Sequence, residues 1–290
     1  MVIESLMNPK RAEKRPWALF FIGFLYASAA AFISLWVYKQ YSSLVMVSLT
    51  VVAALPLVYR AFKHEERVDT LIDKETKLMI HHSKTLSFLL FMFLGFVVAF
   101  SLWYLILPSE STSILFKSQT ETIYSINNAA SGNYFVLDNA PEHFSIIFLN
   151  NIKVLMFCIF FAFFYGAGTV FILAWNASVI GAATGSFVKT ALATDLAKFG
   201  SLGVFNYISS YSLGFFRYAI HGIPEIAAYF IGGISGGIIS VAMINHDIET
   251  DKFKTIMMDA LDLFMLSILV LFIAAAIEVY VTPALISGLG

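Results

Sequence analysis

Charge is what this chain has least of. Asp, Glu, Lys and Arg make up 13% of its 290 residues, while 59% are hydrophobic and mean hydropathy is +0.80. No soluble domain of that length buries enough surface to hide so much apolar area, so composition leaves a polytopic membrane protein. A net charge of −1 provides no basic surplus for gripping phosphates, which argues against a nucleic-acid partner. Cysteine is almost missing. Cys158 stands alone, which excludes an internal disulfide, and its neighbours Phe157, Phe160 and Phe161 read as packing rather than as the setting of a nucleophile. There is no phosphate-cradling glycine loop, so action driven by ATP would need a separate subunit, and no cofactor is implied. The basic segment 1–15 is followed by a long apolar run without a small-residue cleavage site, so that run reads as a retained anchor.

What is present is a series of apolar runs. Those at 17–38, 44–62, 86–107 and 146–174 are each long enough to cross about 30 Å of hydrocarbon, and 223–243 and 260–281 follow. The stretches 176–193 and 202–218 are weaker, broken by Gly181, Gly185, Ser186 and Lys189, and by Asn206 and Arg217. The expectation is an all-α transmembrane bundle of about seven spans. In it 202–218 runs outward, 223–243 returns, and a re-entrant or half-helical piece near 176–200 lies on the inner side.

Lysine and arginine set the orientation. Lys10, Arg11, Lys14 and Arg15 precede the first span, Arg60, Lys63, Arg67, Lys74, Lys77 and Lys84 lie between the second and third, and Lys252 and Lys254 precede the last. These belong inside, giving a cytoplasmic N-terminus and an external C-terminus in the cell membrane. The charged connection 63–84, with Val68, Leu71, Ile72 and Met79 at helical spacing, reads as a solvated stalk on the second span. In the external segment 108–145, Ser131-Gly132-Asn133 between 122–126 and 134–137 predicts a short hairpin. The sequon Asn176-Ala177-Ser178 is expected at the inner boundary.

Placed by depth at about 1.5 Å per residue, several polar residues converge near the outer face. Asn150, Asn151 and Lys153 are expected in the first turns of an inward helix, Arg217 at the end of an outward one, and His221 and Glu225 one turn apart at the start of its return. Glu278 and Thr282 come near the outer end of the last span. A carboxylate inside lipid is expensive, about 2.5 kcal/mol or more at a helix centre, so Glu225 and Glu278 need partners or a purpose. Lys153 or Arg217 would neutralise them. The ordinary alternative is a network of interhelical bonds that only locks helices together, with Lys153 and Arg217 snorkelling to the interface.

Gly181 and Gly185 form one G-x-x-x-G pair, and Gly232, Gly233, Gly236 and Gly237 form two more that overlap. That spacing lets helix backbones approach closely, within one chain or across a homodimer. Gly233-Ile234-Ser235-Gly236 resembles the nucleophile motif of rhomboid-type proteases, but the sole later histidine, His246, falls in a loop, so no catalytic residue is assigned. His221 and Glu225 are too few ligands for a metal, with Pro224 between them and His64, His81, His82 and His246 on the opposite side.

The order of motifs resembles the SpoIIM (stage II sporulation protein M) family: a span, an external segment, Asn150-Asn151, a glycine-bearing span reaching Asn176 and Gly181, His221-Gly222-Ile223-Pro224-Glu225, and Ile277-Glu278-Val279-Tyr280-Val281-Thr282-Pro283. Two positions depart from the family pattern: Ala177 follows Asn176 where glycine is usual, and Ile220 precedes His221 where proline is usual. The resemblance divides the chain into a two-span extension, 1–85, and a family core, 86–290. It implies a multi-helix membrane protein whose named relative helps organise a wall-remodelling complex without being the hydrolase. The function expected is a non-enzymatic scaffold or partner with membrane lipid and protein partners. The alternative is a channel or permease-like component using Glu225 and Glu278.

Overall fold

The computed structural model describes residues 17–69, 75–131, 140–162, 167–199, 203–245 and 250–282. These residues form helices and no strand. In lipid every backbone N–H and C=O must be paired within its own segment, and helices do this. The long elements are α1 (Trp17–Val37), α2 (Ser42–Asp69) and α3 (Glu75–Ile106), then two short helices, α4 (Ser109–Leu115) and α5 (Lys117–Ser131). They are followed by α6 (Ala140–Ala162), α7 (Ala167–Phe199), α8 (Val204–Asn245) and α9 (Asp251–Ala276), the last running into a π-helical turn at Ile277–Val281. Seven of these helices are long and apolar enough to cross a membrane.

The expected number of spans is met by different segments from those expected. The run 146–174 is not one span: it is divided between α6 and α7. The supposed inner half-helix near 176–200 lies inside α7, a continuous span. Conversely, 202–218 and 223–243 are not two crossings, because α8 carries the chain through His221, Gly222 and Pro224 as one helix of 42 residues. One division and one fusion cancel. The physical reason is that a proline inside a helix removes a single backbone bond, which packed neighbours tolerate, whereas a loop within lipid would strand many. The hairpin expected in 108–145 is also absent from the described part, since 117–131 is helical and 132–139 lies outside the described residues.

α8 is the axis of the bundle. Of its apolar span 83% is buried, against 17% for α6, and it packs against α2, α6, α7 and α9. One hydrophobic core joins Leu19 and Ala27 of α1 to Phe62 of α2, Phe96 of α3, Val170 of α7 and Phe230 of α8. Hence α1 and α2 share a core with the later helices. α1 crosses α3 closely, where Gly23 faces the Met92 backbone and Gly95 the Phe20 backbone. Ala27, Ala30, Ala31 and Ser34 extend that small-residue face along α1.

Polar contacts close the two ends of the bundle. At one end Lys39 meets Glu110 at 3.6 Å. There Ser43 Oγ donates to Gln119 Oε1 at 2.9 Å, and Gln119 Nε2 donates to Ser178 Oγ at 3.0 Å. At the other end, where α2 finishes and α3 begins, the buried Glu65 carboxylate is 2.9 Å from His82 Nδ1 and accepts from Thr85 Oγ1.

Candidate functional site

Pro224 lies inside α8 and leaves the carbonyl one turn earlier, at Ile220, without its helical donor. Glu225 follows immediately. One turn further on, Tyr229 Oη donates to Glu225 Oε1 at 2.7 Å. The Tyr229 ring is held in a buried cluster with Leu155, Cys158, Ile172, Ala228 and Leu271. Cys158 Sγ lies 3.7 Å from the Tyr229 carbonyl oxygen and 3.8 Å from Thr169 Oγ1, so the thiol is a packing element with a weak donor.

Glu278 reaches the same place from α9. It sits in the π-helical turn Ile277–Val281, and Thr282 Oγ1 donates to the Ile277 carbonyl at 3.1 Å. A π turn widens the helix and re-aims the side chains within it. The turn that carries Glu278 packs against α8 and α6. α8 thus carries a bonded carboxyl and phenol, Glu225 and Tyr229, and the turn bearing Glu278 packs on the same helix, each of the three half-buried or buried. An ionised carboxylate can accept about four hydrogen bonds. Among the described residues Glu225 receives one side-chain donor, from Tyr229, and Glu278 none.

The other expected members are more scattered. α6 begins at Ala140, so Lys153 lies in the second half of that helix rather than in its first turns. Its side chain is exposed on the outer side of the bundle, as is that of Asn150, and it does not neutralise Glu225 or Glu278. Asn151 is buried. Asn176 is within α7, not at an inner boundary, and its Nδ2 donates to the Ile172 carbonyl of its own helix at 2.9 Å. Arg217 and His221 are in α8, but their side chains lie outside the described residues, as does Pro283. Lys189 is moved by the new topology to the Gln119 end. There it donates to the Leu107 carbonyl at 3.4 Å and Thr112 Oγ1 at 3.5 Å, with Nζ 5.2 Å from the centre of the Tyr104 ring.

The glycines serve helix contacts inside the chain. A Cβ on Gly181 would lie 2.7 Å from Phe100 Cβ, and one on Gly185 2.8 Å from Tyr104 Cβ. On α8, Gly232 faces Leu155 of α6, Gly233 faces Thr169 of α7 and Gly237 faces Phe62 of α2, with Gly236 buried between them. Ser235 is fully buried and donates to the Ala260 carbonyl at 2.7 Å, a helix-to-helix bond.

The family model for stage II sporulation protein M matches residues 85–283. The chain belongs to the stage II sporulation protein M family. The SpoIIM match begins in α3 and ends just after Thr282, so it takes in Glu225, Tyr229, Glu278, α4 and α5, and leaves α1 and α2 outside. Comparison with curated proteins and with solved structures finds no match.

Two polar clusters escaped sequence reasoning. Glu65 sits in the charged run His64-Glu65-Glu66-Arg67, which reads as solvated. Yet it continues the buried stripe of Leu57, Val58, Ala61 and Phe62, and that helical spacing was the available signal. Gln119, fully buried, had no local signal, because its partners Ser43 and Ser178 are 76 and 59 residues away.

Proposed function

We propose that the chain is a non-enzymatic membrane partner, a scaffold for proteins of an envelope- or membrane-remodelling assembly. In this reading it lies in the cell membrane with its N-terminus cytoplasmic and the α4–α5 layer outside. The observation that carries the reading is the anchoring of that layer. Gln119 of α5 is fully buried and bonded to α2 and α7 through Ser43 and Ser178, and Ser118 N donates to Ser43 Oγ at 3.1 Å. α5 is thereby held in one pose while Lys117, Glu121 and Tyr124 remain exposed. A preorganised helical face binds without a large ordering cost. Family membership agrees with a role beside other envelope proteins, and the lysines and arginines gathered around the α2–α3 connection favour the orientation.

The test is purification of cross-linked complexes from native membranes, comparing wild type with Glu121→Arg/Tyr124→Arg. The expected result is a defined set of partners whose recovery falls at least tenfold in the variant at equal protein level. A solitary wild-type protein would remove the scaffold reading.

A second reading, a channel or permease-like component, is favoured by one observation: Glu225 and Tyr229 are bonded beside Pro224, and the π turn bearing Glu278 packs on the same helix. Intramembrane carboxylates at broken helices are a common device for moving cations or protons. In liposomes it predicts cation or proton flux that falls at least tenfold in both Glu225→Gln and Glu278→Gln. Equal leakage in all three proteins would dismiss it.

A further inference from the structure

The outward faces of the long helices are apolar, as lipid requires, but the α6–α9 side carries two opposite charges. α6 is the least covered span, and Asn150 and Lys153 are exposed on it between Leu149 and Met156. On the adjoining α9, Asp262 is exposed between Met258 and Met265. Neither Lys153 nor Asp262 forms an ion pair among the described residues.

The two groups are offset in depth by about one to two helical turns. Phe272 of α9 meets Phe144 and Phe148 of α6, with ring centres 5.0 and 5.8 Å apart, while Gly232 of α8 lies against both Leu155 of α6 and Ser267 of α9. Moving from the first contact to the second, residue numbers rise along α6 and fall along α9, so the helices are antiparallel. At 1.5 Å per residue this register puts Asp262 about 5–10 Å from the level of Lys153, within the span of a lysine and a carboxylate that extend toward each other.

We propose that the α6–α9 side is the interface between two copies of this chain, closed by reciprocal ion pairs between Lys153 and Asp262. A two-fold axis along the membrane normal preserves depth. Setting α6 of one copy against α9 of the other brings each Lys153 to Asp262 of the partner subunit, twice over, as an isologous interface requires. Charge complementarity favours a second copy, which presents a carboxylate to Lys153 and an ammonium to Asp262 in one fixed arrangement. The glycine faces of α8 are not available for this purpose, being filled by Leu155, Thr169 and Phe62.

The experiment is the mass of the full-length protein in mild detergent and in nanodiscs, by light scattering and native mass spectrometry over a range of protein-to-lipid ratios. Wild type should be dimeric. Lys153→Asp or Asp262→Lys should lower the dimer fraction at least tenfold, and the double exchange should restore it. The neutral variants Lys153→Met and Asp262→Leu provide the same single-site comparison if a reversed charge impairs insertion. Independently, the Lys153→Cys/Asp262→Cys protein should cross-link between copies in membranes. A monomeric wild type, a dimer indifferent to the single changes, or a folded double exchange that stays monomeric would each overturn the interface.

Discussion

Tyr229 supplies the one side-chain donor that Glu225 receives among the described residues. Its ring is fixed among Leu155, Cys158, Ile172 and Leu271, so its oxygen is delivered to Glu225 without freedom to turn elsewhere. Tyr229→Phe keeps the packing volume and deletes the donor. The expected loss is about 1–2 kcal/mol of unfolding stability, measured by denaturant titration in micelles, and an unchanged midpoint would mean that Glu225 draws its donors from elsewhere. Lys153 is the opposite case. Exposed on a long apolar helix, it carries a burden of about 2.5–3.5 kcal/mol if it lies near the bilayer centre, which an external partner or a climb to the interface would relieve. Glu225 and Glu278 are visible in the sequence as charges interrupting apolar runs. Glu65 is hidden in it, because a buried charge inside a charged run looks like its solvated neighbours.

Among the elements, α8 shows best how small residues determine packing. Successive glycines on its surface each admit a different helix, and the absence of Cβ atoms is what lets α2, α6 and α7 close on it. Gly233→Leu should force Thr169 aside and destabilise the protein by about 1–3 kcal/mol. Gly222→Ala, whose added Cβ meets nothing within 4 Å, should leave thermal unfolding unchanged or raise it slightly through better helix propensity. Equal effects at both positions would contradict the glycine account. The sequence pattern G-x-x-x-G announces close packing but not its partner. His221-Gly222-Ile223-Pro224 likewise announces a weak point in a helix. Whether a weak point becomes a loop depends on what surrounds it, and the stretch of α8 that follows Gly222 is mostly covered by its neighbours.

At the scale of the whole molecule, a bundle with one main core and a second buried cluster around Tyr229 is closed at one end by Ser43, Gln119 and Ser178 and at the other by Glu65, His82 and Thr85. The first closure sets the pose of α5, on which the scaffold reading rests. The second binds the α2–α3 hairpin, so the supposed stalk is partly core. The outward sides of α6 and α9 are left to lipid or to another chain, and it is there, rather than along the glycines, that Lys153 and Asp262 face out.

The amino-acid sequence by itself determined membrane residence, the all-helical class and the order of family motifs. Those follow from hydropathy, length and residue identity, which are properties of a segment alone. Only the tertiary structure decided which segments cross, that 146–174 divides and 204–245 does not, and which residues surround Glu65, Tyr229 and Gly233. Those depend on contacts between residues distant along the chain. In a helix bundle such contacts are made by nearly uniform apolar surfaces, whose sequence seldom marks which neighbour they will meet.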